Sequence, residues 1–465
     1  MIMRTIILSL CFVLVLASAI IASERPPNII FIMADDLGYG DLSCYGQEKF
    51  ATPNIDRLAT EGMKFTQFYS GSTVCAPSRC SLMTGLHTGH CFIRGNRDQK
   101  ETEGNWPIPS ETVTVAKVLK QAGYATGCFG KWGLGGPKSE GAACRQGFDE
   151  FFGYYDQLKA HNYYPPFLHR NEEKIELDGK TYSHDLIEKE ALGFIRKNKD
   201  KPFFCYMPVT IPHAAMQVPE EYHKPWREKF PEFEETIGKY SFGTEVRNPV
   251  AAFPGMMTRL DVTVKRVLDL LRELGIDENT AVFFTSDNGP HGEGGHRNDF
   301  FKCSGPLRGI KRAMYEGGIR MPMLVRWPGK IKPGGTSDHI GAFWDVLPTL
   351  ADMADIPKTR QPEGIDGITF LPALLGDSKD RKQHEYLYWE FYEQKGKVAA
   401  RCGRWKGVRL NVTGNFDKPD APIEVYDLET DLGETKNIAA EHPEVVEMFR
   451  KIFKEAHVPS DLFKF

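Results

Sequence analysis

The segment Asn28–Asp36, NIIFIMADD, decides the fold. Its apolar residues, Ile29–Met33, form a β-type run that stops at Asp35 and Asp36. An apolar run of this length that ends at turn-forming residues predicts a β-strand. The two aspartates would then stand at the carboxyl end of that strand.

Strands and amphipathic helices alternate along the chain after this segment. We predict helices within residues 52–62, 114–123, 185–198 and 256–275, and strands within residues 124–129, 202–207 and 281–286. The clearest helix is the one that ends at Gly275, with apolar residues at helical spacing: Met257, Leu260, Val264, Val267, Leu271 and Leu274. This alternation indicates an α/β domain with a large, mostly parallel sheet flanked by helices.

Two of the predicted strands end at pairs of polar residues. Asp35 and Asp36 follow the first strand, and Asp287 and Asn288 follow the strand within 281–286. In open α/β sheets ligands bind beyond the carboxyl ends of the strands, and carboxylate and amide oxygens suit Ca²⁺ or Mg²⁺. Either pair alone is explained as well by a turn. Two such pairs in one parallel sheet favour a metal site.

The pattern changes near residue 376. Short apolar segments within residues 386–392, 397–410 and 423–430 predict antiparallel strands, and residues 443–457 predict a closing helix. We therefore expect a main domain over residues 24–375 and a smaller α+β domain over residues 376–465. Two long segments, 231–249 and 289–301, are predicted to be functional or flexible loops.

The length and composition limit the class of protein. A chain of 465 residues is longer than one hydrophobic core usually supports, which agrees with two domains. Its 41% hydrophobic and 26% charged residues are ordinary for a globular protein. A net charge of −4 argues against a nucleic-acid partner, which would need a basic face.

The first 23 residues are typical of a secretory signal peptide. Arg4 precedes an apolar run, and small residues follow near Ala22 and Ser23. A membrane anchor is the alternative, but the run is short for a span, and no later segment could cross a membrane. We expect export to the periplasm or outside the cell, or to the lysosomal or secretory route in a eukaryote. Removing Cys11 leaves nine cysteines, an odd number whose pairing the sequence does not give.

The segment Val74–Gly85, VCAPSRCSLMTG, contains a candidate reactive residue. The spacing of Cys75 and Cys80 matches neither a zinc site nor a redox pair. Pro77 suits a first helical turn, so Cys75 would lie at a helix N-terminus, where anionic character is favoured. Arg79, one turn later, can direct its guanidinium towards an anion. On composition alone, a structural role for Cys75 is the better reading.

The same segment fits C-x-P-S-R-x-x-L-x-T-G, and the chain resembles the type I sulfatases of the alkaline-phosphatase-like superfamily. The resemblance covers most of the mature chain, through PNIIFIMADDLGYGDL, TPNIDRLATEG, GKWGLG, GFDEFFGY, TSDNG, LRGIKRAMYEGGIRMP and YDLETDLGETKNIA. In that family the first cysteine of the motif is oxidised to formylglycine, whose hydrated form attacks sulfur. The resemblance implies that Cys75 is the precursor of this group and that Cys80 only packs.

The resemblance also implies roles for other residues. A divalent cation, usually Ca²⁺ although Mg²⁺ is possible, would be bound by Asp35, Asp36, Asp287, Asn288 and the modified Cys75. Arg79 would hold the formylglycine hydrate, and Lys131 would lie beside it. His213 and Lys311 would contact the sulfate and the leaving oxygen. Fixed cations would stabilise the developing charge, and His213 is the candidate acid for the departing alcohol.

One position departs from the family pattern. Many relatives read G-K-W-H-L-G, where this chain has Gly133 in place of the histidine. That histidine is assigned to the release of sulfate, so the base for that step is not identified. His161 and His291, both in predicted loops, are candidates for this role or for sugar binding.

The resemblance implies an exported sulfuric ester hydrolase that acts on a sulfated carbohydrate. The segment AHNYYP (160–165) is similar to sulfatases of galactose-type sugars. A formylglycine-generating enzyme is the implied maturation partner. Two alternatives stay open: a phosphate or phosphonate ester hydrolase of the same superfamily, and a glycan-binding protein on an inactive scaffold, which Gly133 would explain.

Overall fold

A computed structural model describes residues 25–98, 103–241, 243–377, 381–418 and 420–465. The predicted signal peptide lies outside these residues. None of the helices in the described part of the chain is long and apolar enough to be a membrane span. The nine cysteines after Cys11 are free thiols in this structure.

The main domain is built on an eleven-stranded mixed sheet. Its strands are β1 (Asn28–Ala34), β2 (Met63–Tyr69), β3 (Ala125–Lys131), β4 (Glu150–Tyr154), β5 (Phe167–Arg170), β6 (Glu173–Glu176), β7 (Phe203–Pro208), β10 (Thr280–Ser286), β11 (Arg320–Arg326), β12 (Gly335–Ser337) and β13 (Gly341–Ala342). The order across the sheet is β12-β2-β11-β10-β1-β7-β3-β4-β5-β6, with β13 also on β2. A separate two-stranded ribbon pairs β8 (Ile237–Gly238) with β9 (Val246–Arg247).

The middle of the sheet is parallel. Strands β10, β1, β7, β3 and β4 all run in one direction, while β11, β5 and β6 add antiparallel pairs at the sides. Ala34 lies opposite Ser286, and Met33 lies opposite Pro208. The carboxyl ends of β1, β10 and β7 therefore meet at one edge of the sheet.

Helices cover both faces of the sheet, which explains why β1 is apolar throughout. Ile29, Phe31 and Met33 pack into one core, and Ile30 and Ile32 pack into the core on the other face. The helices of the chain are α1 (Pro53–Thr60), α2 (Cys75–Thr84), α3 (Val115–Gln121), α4 (Ser183–Asn198), α5 (Glu220–Lys229), α6 (Pro249–Glu273), α7 (Asn298–Phe301), α8 (Glu316–Ile319), α9 (Val346–Met353), α10 (Leu371–Leu375) and α11 (Pro443–Glu455).

The C-terminal part forms its own small sheet. Four antiparallel strands lie in chain order: β14 (Leu387–Phe391), β15 (Lys397–Cys402), β16 (Trp405–Leu410) and β17 (Glu424–Asp427). Phe449 and Phe453 of α11 pack with Tyr388 and Val425 in one apolar cluster. On the main-domain side, Trp389 packs against Tyr69 of β2.

The predicted fold class is confirmed, with differences in detail: the segments predicted as loops, 231–249 and 289–301, contain the β8–β9 ribbon and α7, and several element ends differ. Helix α6 begins at Pro249, seven residues before the predicted start at Met256. Asn248 caps it by accepting a hydrogen bond from the Ala251 N–H at 3.0 Å, and the helix contains Pro254 in its second turn. Strand β3 continues to Lys131, two residues beyond the predicted end. The domain boundary near residue 376 stays a prediction.

Candidate active site

The candidate site lies at the carboxyl edge of the parallel strands. Asp35 and Asp36 follow β1, Asp287 and Asn288 follow β10, and Lys131 is the last residue of β3. All five side chains are fully buried. The sheet order therefore brings together residues that are up to 253 positions apart in the chain, as the strand-end pattern predicted.

Cys75 enters this group from the N-terminus of α2. The helix begins at Cys75, as predicted, and the side chain is 1% exposed. The thiol donates to Asp35 Oδ1 at 3.4 Å, and Lys131 Nζ lies 3.3 Å from the sulfur. Burial raises the pKa of the Cys75 thiol, and the Asp35 carboxylate raises it further. The unmodified side chain is thus a neutral thiol held between an anion and a cation.

The aspartates are paired with buried cations. Lys131 Nζ lies 2.7 Å from Asp35 Oδ2, and Lys311 Nζ lies 2.8 Å from Asp36 Oδ2. Burial alone would raise the pKa of Asp35, but the neighbouring cations, led by Lys131, hold it well below its usual value. The paired Asp35 is therefore ionised.

Arg79 lies against the third aspartate. Its Nε and Nη2 donate to Asp287 Oδ2 at 3.1 and 2.7 Å, and its Nη1 donates to the Lys131 carbonyl at 2.5 Å. Burial raises the pKa of Asp287 to about 7, and the Asp35 carboxylate adds to this rise against the opposing effect of Arg79. The guanidinium therefore links α2 to the ends of β3 and β10.

The donor set fits a hard divalent cation. Ligand atoms of Asp35, Asp36, Cys75 and Asp287 all lie within 4.8 Å of one another. Asn288 donates its Nδ2 to Asp36 Oδ1 at 2.6 Å, whereas its buried Oδ1 has no hydrogen-bond partner among the described residues. An amide oxygen left unpaired beside three carboxylates is what an oxygen-coordinated ion would satisfy.

His213 faces the same site from the turn after β7. Its Nδ1–H donates to the Ala214 carbonyl, so Nε2 carries a lone pair, which accepts from Lys311 Nζ at 2.9 Å. Burial lowers the pKa of His213 well below its usual value, and Lys311 lowers it further. The imidazole is therefore neutral in this arrangement, with its free lone pair directed at an ammonium group.

Comparison with known proteins identifies the family. The model described as Sulfatase matches residues 27–356. The chain belongs to the sulfatase family. A second model, described as N-sulphoglucosamine sulphohydrolase, C-terminal, matches residues 310–458 of this sulfatase. The family resemblance of the sequence is thereby confirmed, and the protein is a sulfuric ester hydrolase.

Similar proteins cover nearly the whole sulfatase. Arylsulfatase A of Homo sapiens is 31% identical, over 93% of this chain and 88% of its own length. The N-acetylgalactosamine-6-O-sulfatase of Bacteroides thetaiotaomicron is 31% identical, over 91% of this chain and 92% of its own length. The crystal structure of Ps i-CgsB in complex with k-i-k-neocarrahexaose matches with a TM-score of 0.77 at 26% identity, covering 93% of each chain.

The two candidate histidines of this sulfatase have different surroundings. The His161 ring stacks on His213 with centroids 4.0 Å apart, and both its nitrogens are buried without a hydrogen-bond partner among the described residues. His291 has both nitrogens occupied, since Nδ1 accepts from the Glu293 N–H at 3.0 Å and Nε2 donates to the Pro212 carbonyl at 3.2 Å. Only His161 therefore keeps polar atoms available for a ligand.

The space beside Gly133 is filled by a residue that the sequence did not single out. A Cβ atom at position 133 would lie 2.8 Å from Gln157 Nε2, and Gly133 has φ +78°. Gln157 is buried, and its Nε2 has no partner within the described residues. The absence of a side chain at position 133 is thus matched by an amide from the turn that also carries His161. In the sequence, only the position of Gln157, four residues before His161, could have indicated that Gln157 belongs to the site.

Two further supporting residues were also not predicted. Ser78, inside the cysteine motif, donates its hydroxyl to the Asp287 carbonyl at 2.5 Å and accepts from the Gly71 N–H. Asn96 accepts from the Ala76 N–H at 3.0 Å, at the first turn of α2. Together they fix the helix start that presents Cys75.

Proposed function

We propose that this sulfatase hydrolyses sulfate esters of a carbohydrate, with Cys75 matured to formylglycine and a divalent cation bound at the strand ends. The observation that carries the proposal is the setting of Cys75, which lies within 3.4 Å of both Asp35 and Lys131 at the start of a buried helix. Formylglycine at this position, as its hydrate, would supply the nucleophile for sulfur and a second hydroxyl for the release of sulfate.

The charge balance of the site supports binding of a sulfate ester. Three aspartates face three cationic side chains, namely Arg79, Lys131 and Lys311, and His213 is neutral. A divalent cation, with Ca²⁺ as our first choice and Mg²⁺ as the second, would favour the ionised form of all three aspartates and would then leave an excess of two positive charges. Such an excess in a buried site attracts a sulfate monoanion and stabilises charge on the leaving oxygen.

We assign the residues as follows. Asp35, Asp36, Asp287 and Asn288 would hold the cation together with residue 75. Lys131 would orient the modified residue and Arg79 would fix its helix, while Lys311 would bind the sulfate. His213 would act as the acid for the departing alcohol by passing on a proton of Lys311, because its Nε2 is neutral and accepts from Lys311 Nζ; such a proton transfer is worth about 10²–10⁴-fold in rate.

The names of similar proteins support a substrate class. One relative is named an N-acetylgalactosamine-6-O-sulfatase, and one structural neighbour is a complex with a neocarrahexaose. The first name contains a galactose-type sugar and agrees with the galactose-type resemblance of AHNYYP, and the second names an oligosaccharide ligand. We therefore propose a galactose-type sulfated sugar as substrate. Export and maturation by a formylglycine-generating enzyme belong to the same proposal.

Sulfate release tests this function. Protein co-expressed with a formylglycine-generating enzyme and supplied with Ca²⁺ should release sulfate from 4-nitrophenyl sulfate and from a sulfated galactose derivative. The Cys75→Ala variant should release none, because it has no precursor for the aldehyde. We expect the parallel assay with 4-nitrophenyl phosphate to give a much lower kcat/KM.

The alternatives make different predictions in the same assay. A phosphate or phosphonate ester hydrolase would prefer the phosphate substrate. A glycan-binding protein would bind the sulfated sugar without turnover, even when residue 75 is fully modified. Either result would overturn the proposed function.

A further inference from the structure

The helix that carries Cys75 is not capped by the residue before it. Val74 makes no side-chain cap, and the Ala76 N–H donates instead to Asn96 Oδ1 at 3.0 Å. The first N–H groups of a helix need acceptors from outside the helix. The start of α2 therefore depends on the position of Asn96, which is 20 residues further along the chain.

Residues 88–96, which we call the bridging segment, are held by the C-terminal part of the chain. Thr88 Oγ1 accepts from the Glu390 N–H of β14 at 2.7 Å. The Gly89 carbonyl accepts from the Val458 N–H, just after α11, at 3.2 Å. The bridging segment is thus joined at one end to β14 and to the chain that follows α11, and at the other end to α2.

Arg94 adds a buried cation to this junction. Its Nη1 donates to the Val458 carbonyl at 2.6 Å and lies 3.4 Å from Glu390 Oε2. Glu390 is fully buried and also pairs with His457 Nδ1 at 2.6 Å. A buried carboxylate is costly to leave without such partners. These contacts therefore fix the chain two residues before Asn96.

Phe463 covers the residue next to Asn96. Its side chain is 6% exposed and belongs to the apolar core on one face of the main sheet. A Cβ atom at Gly95 would lie 3.2 Å from the Phe463 ring, so the ring packs closely on the Gly95 backbone. Because protein interiors are close-packed, a change at Phe463 is transmitted to Gly95 and to its neighbour Asn96.

We propose that Asn96 and Phe463 are positioning residues for sulfate ester hydrolysis, through which the C-terminal part of the chain fixes residue 75 in the active site. Phe463 holds the bridging segment, and Asn96 holds the Ala76 N–H beside residue 75. This inference rests on the proposed function, since it takes residue 75 as the reacting group. It concerns the rate of the chemical step rather than substrate binding, because a displaced reacting group lowers the rate within the bound complex.

Kinetics of Asn96 variants with 4-nitrophenyl sulfate test the proposal. Asn96 is exposed, so its substitution leaves the core intact. Asn96→Ala should lower kcat by about tenfold or more and keep KM within about threefold of the parent. Asn96→Asp retains an acceptor oxygen and should recover most of the lost kcat. Lys464→Ala, at an exposed residue beside Phe463, is the matched control and should keep the parent kinetics.

A double-mutant cycle tests whether Phe463 acts through Asn96. Phe463→Leu keeps an apolar side chain in the core but removes the ring from Gly95, and should lower kcat by about threefold or more. In the Asn96→Ala background the same substitution should change kcat by less than about 1.5-fold, because the contact through which it acts is already lost. Fold-changes that simply multiply would show that the two residues act independently, and would overturn the proposed route.

The other outcomes separate this inference from the proposed function. If the fully modified parent releases no sulfate, the proposed function itself fails. If the parent is active but Asn96→Ala or Phe463→Leu keeps the parent kcat, the positioning role is overturned. It is also overturned if Asn96→Ala raises KM at constant kcat, since Asn96 would then bind substrate. The formylglycine content and the Tm of each variant, measured in parallel, distinguish a kinetic effect from incomplete maturation or misfolding.

Discussion

At the scale of single residues, the two cysteines of one motif have different surroundings. Cys75 and Cys80 both lie in α2 and are both buried. The Cys75 sulfur contacts Asp35 and Lys131, whereas Cys80 belongs to the apolar core on one face of the sheet. The chemistry of the motif therefore depends on which residue faces the strand ends.

We predict opposite results for alanine substitutions at these cysteines. Cys80→Ala should keep formylglycine and activity, and should lower the free energy of unfolding by about 1 kcal/mol through lost packing. Cys75→Ala should keep the fold and lose all turnover. Sulfate release and urea unfolding of both variants check this. Loss of turnover in a folded, fully modified Cys80→Ala would contradict the different roles given to the two residues.

Gly133 gives a second prediction at this scale. Gly133→His should lower the free energy of unfolding by about 2–3 kcal/mol, because the new Cβ meets Gln157 and the backbone has a positive φ. Adding Gln157→Ala should recover part of that loss. Gly123→His is the matched control, since Gly123 also has positive φ, at +86°, but open space around it. Equal losses at positions 133 and 123 would show that Gln157 does not restrict the site.

The residue scale also shows what the sequence could and could not predict. Asp35, Asp36, Asp287 and Asn288 were predictable, because each follows an apolar strand and parallel strands end at one edge. Gln157 and Tyr240 were not, because their neighbours at the site lie far away in the chain and no local pattern marks them. Only the folded chain brings Gln157 to Gly133 and Tyr240 to His161.

At the scale of elements, α1 depends on a residue from another helix. Thr52, the residue before α1, makes no side-chain cap. Instead, Asp261 of α6 accepts from the Asn54 and Ile55 N–H groups, both at 2.8 Å. Its other oxygen accepts from Asn54 Nδ2 at 2.6 Å. The N-terminus of α1 is thus satisfied by a carboxylate that lies more than 200 residues away.

Removing this carboxylate should destabilise the fold. Asp261→Ala leaves the first N–H groups of α1 without an acceptor, and we expect a loss of about 2 kcal/mol in the free energy of unfolding. Activity of the folded variant should be unchanged, since α1 carries no site residue. Urea unfolding measures the loss. Asp269→Ala, an exposed residue of the same helix, should change stability by less than about 0.5 kcal/mol; equal effects would contradict the capping role.

The sequence predicted which helices and strands form more accurately than it predicted where they begin and end. The alternation of strands and helices predicted the α/β sheet, and the short segments after residue 376 predicted the small antiparallel sheet. The start of α6 was not predicted correctly, because Pro254 and Gly255 are residues that usually interrupt a helix. The Asn248 cap and the packing of this first turn outweigh them.

At the scale of the whole molecule, a buried ionic network joins the two sheets. Glu316, just before β11, accepts from Lys406 Nζ of β16 at 2.7 Å and from the Tyr69 hydroxyl at 2.6 Å. Glu434 accepts from the Glu316 N–H at 2.7 Å and lies 3.7 Å from the same lysine. Two carboxylates therefore share Lys406, and burial raises the pKa of Glu434 to about 7.

This network predicts a pH dependence of stability. Between the unfolded pKa of Glu434, near 4.5, and its folded value of about 7, the native state binds a proton that the unfolded state has released. The contribution of Glu434 to the free energy of unfolding is complete below its unfolded pKa. It is lost as the pH rises towards 7 and above. Glu434→Gln keeps an acceptor for the Glu316 N–H but cannot ionise. It should be more stable than the parent near pH 8, by up to about 3 kcal/mol.

Thermal unfolding at two pH values checks this expectation. The difference in Tm between Glu434→Gln and the parent should be small near pH 5 and clearly positive near pH 8. Glu441→Gln, an exposed glutamate of the same small domain, should show no such change. A Tm difference for Glu434→Gln that is the same at both pH values would contradict a protonated Glu434 between the sheets.

The proposed function requires that Cys75 becomes the catalytic aldehyde. The most direct test is mass spectrometry, with carbonyl trapping, of the peptide that contains residue 75, from protein co-expressed with a formylglycine-generating enzyme. We expect a trapped aldehyde at residue 75 and thiols at the other cysteines of that peptide. An unmodified thiol at residue 75, while a known sulfatase is modified in the same cells, would contradict it.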